Sequence, residues 1–445
     1  MGGGPVSNLE IGIWSFPVLL VMIFLRVPIG LAMFIVGCTG SYLVVDGWAP
    51  ILSKLKNETY STFSSYSLSI VPLFLLMGQF AVLGGMSKAL FKAAETIMGH
   101  RKGGVAMAAI GACAGFGSIC GSSLATAATM SQVALPEMRR YGYSGQLSTA
   151  TLAAGGTLGI LIPPSFVLVI YAILTEQNIA KLFVAAIVPG ILAAVGYILA
   201  ISIYVRVYPD SAGSRERASL VECVSAVVKV WPVLAIFTVV VGGIYLGWFT
   251  PTEAAAVGAA GTGLLALANG GLTWSKLANA ILATAVTTGM IYFIVLGAGL
   301  YNGFLALSRV PFELSDWIAH IGLGPWTILV LILILYLVLG CVMDSLSMIL
   351  LTIPIFFPTI STFDYGLSGE EFALWFGVLA LIVVEVGLIT PPVGMNLFVI
   401  NSMAKDTPMS ETYRGVMPFI LSDLLRTAVL LVFPGITLFL VNLMF

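Results

Sequence analysis

Long apolar runs separated by short polar clusters dominate this chain. Residues 182–204, 233–248 and 286–307 are each apolar for about the length that a helix needs to cross a bilayer, roughly 20 residues. The pattern predicts spans near 11–25, 30–45 and 65–84, a segment near 105–135, a long span near 147–175 and another near 182–205. After a polar stretch the series repeats, with spans near 232–250, 253–268 and 286–306, a segment near 327–357, and spans near 372–402 and 415–445. Stretches near 50–62 and 272–284 mix Lys with apolar residues and predict helices lying along the membrane interface.

The chain also reads itself twice. Gly159-Ile-Leu-Ile-Pro163-Pro164 returns as Gly387-Leu-Ile-Thr-Pro391-Pro392, Ser53-Lys54-Leu55 as Ser275-Lys276-Leu277, and Pro28 as Pro251, at offsets of 222 to 228 residues. Such constancy means two copies of one half, 1–205 and 223–445, joined by a cytoplasmic linker at 206–222. In a membrane protein, a duplicated helix-breaking motif marks where the chain grips a small solute.

Segments 105–135 and 327–357 decide the topology. Each clusters Gly, Ser and Thr near its middle or first third, and folded as a hairpin each has arms of about 15 residues, roughly 22 Å at helical rise. The hydrocarbon core is roughly 30 Å thick, so an arm does not cross and the segment leaves on the side it entered. Loops flanking the first hairpin carry Lys88, Lys92, Arg101, Lys102, Arg139 and Arg140, whereas those flanking the second carry Arg309 against Glu313, Asp316, Asp364, Glu370 and Glu371. Positive charge collects in the cytoplasm, so the first hairpin enters from there and the second from outside. Five full spans per half then invert the second copy. The expected fold is all-α and polytopic: an inverted repeat with ten spans, two re-entrant helical hairpins, two broken helices near 147–175 and 372–402, and both termini outside.

Composition agrees with a membrane protein. The chain is 59% hydrophobic and 9% charged, with a mean hydropathy of +1.06, where a soluble domain is nearer a quarter charged. A net charge of −1 argues against a nucleic-acid partner. No Lys or Arg precedes the apolar run at 11–25, which therefore reads as a retained first span and not a cleaved targeting peptide. The five cysteines, Cys38, Cys113, Cys120, Cys223 and Cys341, show no CxxC spacing and read as small apolar filler.

Three constellations carry candidate chemistry. The first is Gly115-Phe-Gly117-Ser118-Ile-Cys120-Gly121-Ser122-Ser123-Leu-Ala-Thr126, at the bend of the first hairpin. Its glycines permit sharp turns at membrane depth, where freed carbonyls can hold a small cation and freed N–H groups an anion; equally, small residues let helices pack closely. The second is Gly155-Gly156-Thr157-Leu158-Gly159-Ile-Leu-Ile162-Pro163-Pro164, where two prolines remove two donors and break a span, and its copy is Gly387–Pro392. The third is Gly340-Cys341-Val-Met343-Asp344-Ser345, where Asp344 aligns with Gly121 and adds a buried acid. Asp344 has two readings, a cation ligand or an acceptor anchoring the adjoining broken helix, and Glu385 has the same two. Glu253 suits a helix N-terminus just after Pro251, and Asn396 and Asn401 can hydrogen-bond either a solute or another helix.

Gly117-Ser-Ile-Cys-Gly-Ser-Ser-Leu-Ala-Thr-Ala-Ala-Thr129, Pro136-Glu-Met-Arg-Arg-Tyr-Gly142-Tyr143, Gly155–Pro164, Thr250-Pro-Thr-Glu-Ala254 and Gly387-Leu-Ile-Thr-Pro-Pro-Val-Gly394 resemble the large membrane (M) subunit of tripartite ATP-independent periplasmic (TRAP) transporters. The resemblance runs from about residue 10 to the C-terminus. It implies Na⁺-driven import of carboxylate-type organic anions across a bacterial inner membrane by an elevator movement, and not an enzyme. It also implies a small four-helix membrane subunit and a periplasmic substrate-binding protein as partners, with Na⁺ as coupling ion and no other cofactor. Carried onto this chain, one Na⁺ site uses Gly117, Cys120, Gly159, Ile162 and Pro163, and the other Gly340, Met343, Gly387, Thr390 and Pro391, mostly through main-chain carbonyls. No Lys or Arg falls in these motifs, so the substrate is expected against helix N-termini and the side chains of Ser122, Ser123, Thr126 and Asn396.

Two other readings compete. One is a stand-alone Na⁺/anion symporter of similar architecture that needs no binding protein. The other is an intramembrane hydrolase built on Gly366-Leu-Ser368-Gly369, which lacks a histidine on a later span, since His100 and His320 both fall in loops.

Overall fold

In the computed structural model, which describes residues 7–313, 316 and 324–445, every regular element among the described residues is a helix. The first five residues and His320 lie outside the described residues. The first half runs α1 (Asn8–Phe24), α2 (Ile29–Val45), α3 (Trp48–Phe63), α4 (Ile70–Leu83), α5 (Met86–Met98), α6 (Gly104–Cys120), α7 (Ser123–Arg140), α8 (Gly145–Leu161), α9 (Phe166–Leu174) and α10 (Ile179–Val207). The second runs α11 (Leu220–Tyr245), α12 (Pro251–Ala268), α13 (Trp274–Leu307), α14 (Pro325–Gly340), α15 (Ser345–Ile360), α16 (Gly369–Leu388), α17 (Met395–Met403), α18 (Met409–Val432) and α19 (Pro434–Met444).

Local sequence explains where these helices start. Ser7/Glu10, Ser219/Glu222, Thr250/Glu253 and Ser368/Glu371 each form a reciprocal capping box, satisfying first-turn donors that nothing else would reach. Glu253 is thus the helix-start carboxylate expected. Ser368 holds the Glu371 N–H at 3.3 Å, so the Gly-x-Ser-Gly stretch is a helix cap.

Several boundaries differ from the sequence reading. The two copies diverge at the interfacial stretch: α3 and the helical stretch 67–83 meet at a 53° bend, whereas α13 is one helix of 34 residues. Ser64 and Ser69 turn their hydroxyls onto the Tyr60 and Tyr66 carbonyls and disturb the first copy, while Val286, Thr287 and Thr288 continue the second. The span expected near 415–445 begins at Met409 and breaks before Pro434, whose ring nitrogen has no proton to donate. The linker shortens because α10 runs to Val207 and α11 starts at Leu220. Helix α5, amphipathic and 13 residues long, is an addition. Among the described residues five helices are long and apolar enough to cross a membrane, or up to seven spans if each bent pair counts once. Reaching the ten expected requires shorter apolar helices such as α2, whose 17 residues are about 25 Å long.

Both hairpins form. Arms α6 and α7 have 17 and 18 residues, and α14 and α15 have 16 each, slightly longer than the arms expected, and in each hairpin the second arm packs back on the first. Both breaks form as well, α8 and α9 meeting at 45°. The halves interlock crosswise: α9 of the first packs on α15 of the second, and α17 of the second packs on α7 and α8 of the first. One apolar core surrounds hairpins and breaks, and a second gathers where α1, α2 and α13 meet. Small residues let α2 and α13 approach, since a Cβ on Gly37 would lie 2.8 Å from the Tyr301 nitrogen.

Cross-half ion pairs agree with an inverted repeat. Arg139, in the last turn of α7, pairs with Asp406, after the second break. Lys181, in the first turn of α10, pairs with Glu370, in the first turn of α16, at 2.7 Å. Each pair joins two segments that the inversion expects on one side. At the Arg139 end, buried Glu95 also accepts from Tyr141 at 3.1 Å and faces Arg215 of the linker at 3.5 Å.

Candidate functional site

The hairpin tips are built by capping. Gly121 ends α6 in the left-handed conformation (φ +66), its N–H closing on the Gly117 carbonyl at 2.6 Å, a geometry glycine adopts without strain. Ser122 then caps α7, its hydroxyl accepting from the Ala125 N–H at 3.4 Å. In the second hairpin Asp344 caps α15, accepting from the Ser347 N–H at 3.0 Å. Asp344 therefore stands where Ser122 stands, one position away from the Gly121 with which the sequence aligns it. Two residues separate the arms of the first hairpin and four those of the second, which shifts the register.

The breaks expose carbonyls. Pro163 and Pro164 cannot donate back to Gly159 and Ile160, and Pro391 and Pro392 cannot donate to Gly387 and Leu388. Both Pro-Pro peptide bonds are cis. Each break lies against its own hairpin at a glycine pair. A Cβ on Gly117 would collide with the Gly159 Cα, and one on Gly387 would sit 2.6 Å from the Gly340 Cα. The Gly394 N–H donates to the Cys341 carbonyl at 3.1 Å, tying the second break to the second tip. The second break is partly self-satisfied: Gly387 O accepts from the Thr390 N–H at 3.0 Å, and the Thr390 hydroxyl donates to Val386 O at 2.6 Å.

The remaining residues of the expected cation sets distribute around these contacts. Ile162 closes α8 and faces Gly190 of α10, Cys120 is buried beside the first tip, and Met343 lies half-buried in the second. The carbonyl of Pro391 lies 4.0 Å from the Cys341 sulfur. Among the described residues no three His, Cys, Asp or Glu side chains gather as a metal cluster. Carbonyl and hydroxyl oxygens predominate, a donor set that suits a hard cation and not a transition metal.

Glu385 joins the two hairpins. It is 1% exposed, and its two carboxylate oxygens accept separately from the hydroxyls of Ser123 and Ser345. Those serines are the first helical residues of α7 and α15, so one carboxylate in α16 fixes both tips. Of the two acids singled out in the sequence, Glu385 does the anchoring between elements, while Asp344 caps its own arm. Nothing local in the sequence announces this arrangement, because Ser123 and Glu385 are 262 residues apart.

A cavity of about 300 Å³ opens beside the tips, lined by Cys120, Ser122, Ser123, Asp344 and Ser345 and, from the facing layer, by Gln79 of α4 and Thr287 of α13. Gln79 and Thr287 were not singled out by the sequence; as polar residues on apolar spans they are the signal that could have found them. Two helix N-termini end at the cavity, and its lining holds one acid and no Lys or Arg. Thr126 and Asn396 do not line it. Both are fully buried behind the first break, where Asn396 Nδ2 donates to the Ala153 carbonyl at 3.2 Å. Asn396 Oδ1 has no partner among the described residues, and the Thr126 hydroxyl finds no oxygen or nitrogen, only the Cys120 thiol beside it.

A buried polar chain leads away from the first break. Thr157 meets the Tyr197 hydroxyl at 2.9 Å, Tyr197 donates to Asp423 at 2.6 Å, and Arg426 pairs with Asp423 at 2.8 Å. The sequence reading missed this pair, although Asp-x-x-Arg inside an otherwise apolar span was its signal.

The family model described as tripartite ATP-independent periplasmic transporter, DctM component, matches residues 16–436. The chain is 35% identical to the C4-dicarboxylate TRAP transporter large permease protein DctM of Pseudomonas aeruginosa, over 91% of this chain and 93% of that protein. It is 30% identical to the sialic acid TRAP transporter permease protein SiaT of Haemophilus influenzae, over 96% of this chain and 67% of that one. Among solved structures it superposes on the Alcanivorax borkumensis YdaH transporter with a TM-score of 0.66 at 15% identity, covering 88% of this chain and 89% of that one. That last likeness is one of fold alone.

Proposed function

Because this chain belongs to the DctM component family of tripartite ATP-independent periplasmic transporters, we propose that it imports a carboxylate-type organic anion across the bacterial inner membrane, driven by co-transported Na⁺. A periplasmic binding protein delivers the anion, and a small four-helix membrane subunit completes the transporter. Both termini face the periplasm, and the first hairpin enters from the cytoplasm.

The observation that carries this reading is the cavity's charge. An anion entering it meets Asp344 and no basic side chain. Two helix N-termini attract it, each worth roughly 0.3–1 kcal/mol at an exposed site and more when partly buried. That attraction does not offset a like charge at close range, so a cation must enter with the anion. The freed carbonyl of Gly159 and the lone pair that Thr390 leaves on the Gly387 carbonyl, with the Thr126 hydroxyl and the Asn396 oxygen that has no partner among the described residues, supply the kind of oxygen ligands that Na⁺ takes. The glycine pairs Gly117/Gly159 and Gly340/Gly387 make the hairpins part of the same two sites. Cation binding then draws each hairpin onto its break and neutralises the anion. The loaded core slides against the layer containing α4 and α13, which forms the other wall of the cavity.

The test is uptake by this chain and its small subunit in liposomes, with a binding protein loaded with a C4-dicarboxylate or sialic acid, the substrates that two relatives are named for. Uptake should require an inward Na⁺ gradient and the binding protein. Uptake indifferent to Na⁺ overturns the coupling, and uptake of free anion without the binding protein makes the chain a stand-alone symporter.

A further inference from the structure

At the end of the molecule that gathers Arg101, Arg139, Arg206 and Arg217 lies a second cavity, of about 590 Å³, between α5, the linker and the first turns of α11. Lys88, Lys92, Arg215 and Lys229 line it, with Glu222 the one acid in the lining. Glu222 is engaged by the Ser219 N–H in a capping box, and buried Glu95 behind the wall engages Lys92 at 2.9 Å and Arg215 at 3.5 Å. Lys88 and Lys229 form no ion pair among the described residues. Lys229 lies ten positions beyond the cap Ser219, roughly 15 Å along the helix. Its neighbours Val228 and Trp231 are exposed, as expected of a lipid-facing surface. A lysine at such depth needs a counter-charge. Ala89, Ala93, Val221 and Ala226 give the cavity an apolar side, with the hydroxyl residues Thr96 and Ser225 also in the lining.

We infer that this cavity binds the phosphate headgroup of an anionic phospholipid of the cytoplasmic leaflet. Lys88 and Lys229 meet the phosphate, and the apolar side accepts the upper part of the acyl chains. A free phosphate has the same charge but no use for the apolar wall, whereas a lipid satisfies both. Basic pockets between helices on the cytoplasmic side suit such headgroups, each nearby Lys or Arg contributing about 1 kcal/mol. The occupied site would brace the linker between the repeats against α5, which adjoins the first hairpin. The inference does not depend on which anion is transported or on Na⁺ coupling.

Native mass spectrometry of the full chain, released from nanodiscs of mixed phosphatidylcholine and phosphatidylglycerol, tests it. Wild type should retain phosphatidylglycerol selectively. Lys88→Gln/Lys229→Gln should bind it roughly 30-fold more weakly, the effect of two such charges, and Lys88→Arg/Lys229→Arg should bind as wild type does. The arginine variant also reports whether substitution at these positions disturbs folding. Equal retention by the glutamine variant and wild type overturns the site. Thermal stabilisation by inorganic phosphate alone, equal to that by phosphatidylglycerol, overturns the lipid assignment in favour of a free anion.

Discussion

Ser122 and Asp344 cap the second arms of the two hairpins from equivalent places, one with a hydroxyl and the other with a carboxylate. Asparagine caps a helix about as well as aspartate does, so Asp344→Asn separates charge from cap. Its unfolding free energy should stay within about 0.5 kcal/mol of wild type. The Na⁺ concentration for half-maximal uptake should rise about tenfold, the equivalent of roughly 1.4 kcal/mol of lost cation attraction. An unchanged Na⁺ dependence, measured alongside thermal unfolding, would reduce Asp344 to a cap.

The shared carboxylate of Glu385 makes a prediction about coupling. Ser123→Ala and Ser345→Ala should each cost about 1–3 kcal/mol, because each strips a hydrogen-bond partner from a buried carboxyl oxygen. The double variant should depart from the sum by 0.5 kcal/mol or more, as neighbours in one network do. Strict additivity in denaturation of the four proteins would mean that the two tips do not share this anchor.

The chain's own pattern shows where the hairpin tips and helix breaks lie but not how they meet. Gly117, Gly159, Gly340 and Gly387 were legible because helix breaking is local chemistry: a proline removes a donor wherever it sits. The register of Asp344 was not, since it depends on how many residues each bend takes. The division of Ser123 and Asn396 between cavity and interior was also hidden, because it depends on packing across halves that sequence spacing does not encode. Differences between α3 and α13 came from a few serines competing for carbonyls, too small a signal to override the repeat.

Backbone contact at the glycine pairs sets a steric limit. Gly117→Ala should cost about 1–3 kcal/mol through overpacking against Gly159 and should abolish uptake. Gly111→Ala, on the same helix but with nothing within 4 Å of the added carbon, is the control. It should be neutral or stabilising by up to about 1 kcal/mol through helix propensity. Equal behaviour of the two variants in thermal unfolding and uptake would contradict the close approach.

Asp423 and Arg426 are 1% and 9% exposed, and two guanidinium nitrogens of Arg426 have no partner among the described residues. Removing one partner leaves a buried charge, so Asp423→Asn should destabilise by about 3–5 kcal/mol. Replacing both, as Asp423→Leu/Arg426→Met, should recover most of that loss. If the double variant unfolds as readily as the single one in a thermal melt, the pair is not the source of the cost.

Thr126 offers a choice between ion and substrate. Its hydroxyl is buried without an oxygen or nitrogen partner, close to the carbon a side chain on Gly159 would occupy. Thr126→Val keeps the shape and deletes that polar atom, which should leave the ion-free protein as stable as wild type or about 1 kcal/mol more so. If the hydroxyl serves the cation, half-saturation by Na⁺ should rise several-fold while the substrate concentration for half-maximal uptake at saturating Na⁺ stays put. If it serves the carboxylate, the two responses exchange. Flux measured across a grid of both concentrations decides, and the burial of Thr126 outside the cavity predicts the first outcome.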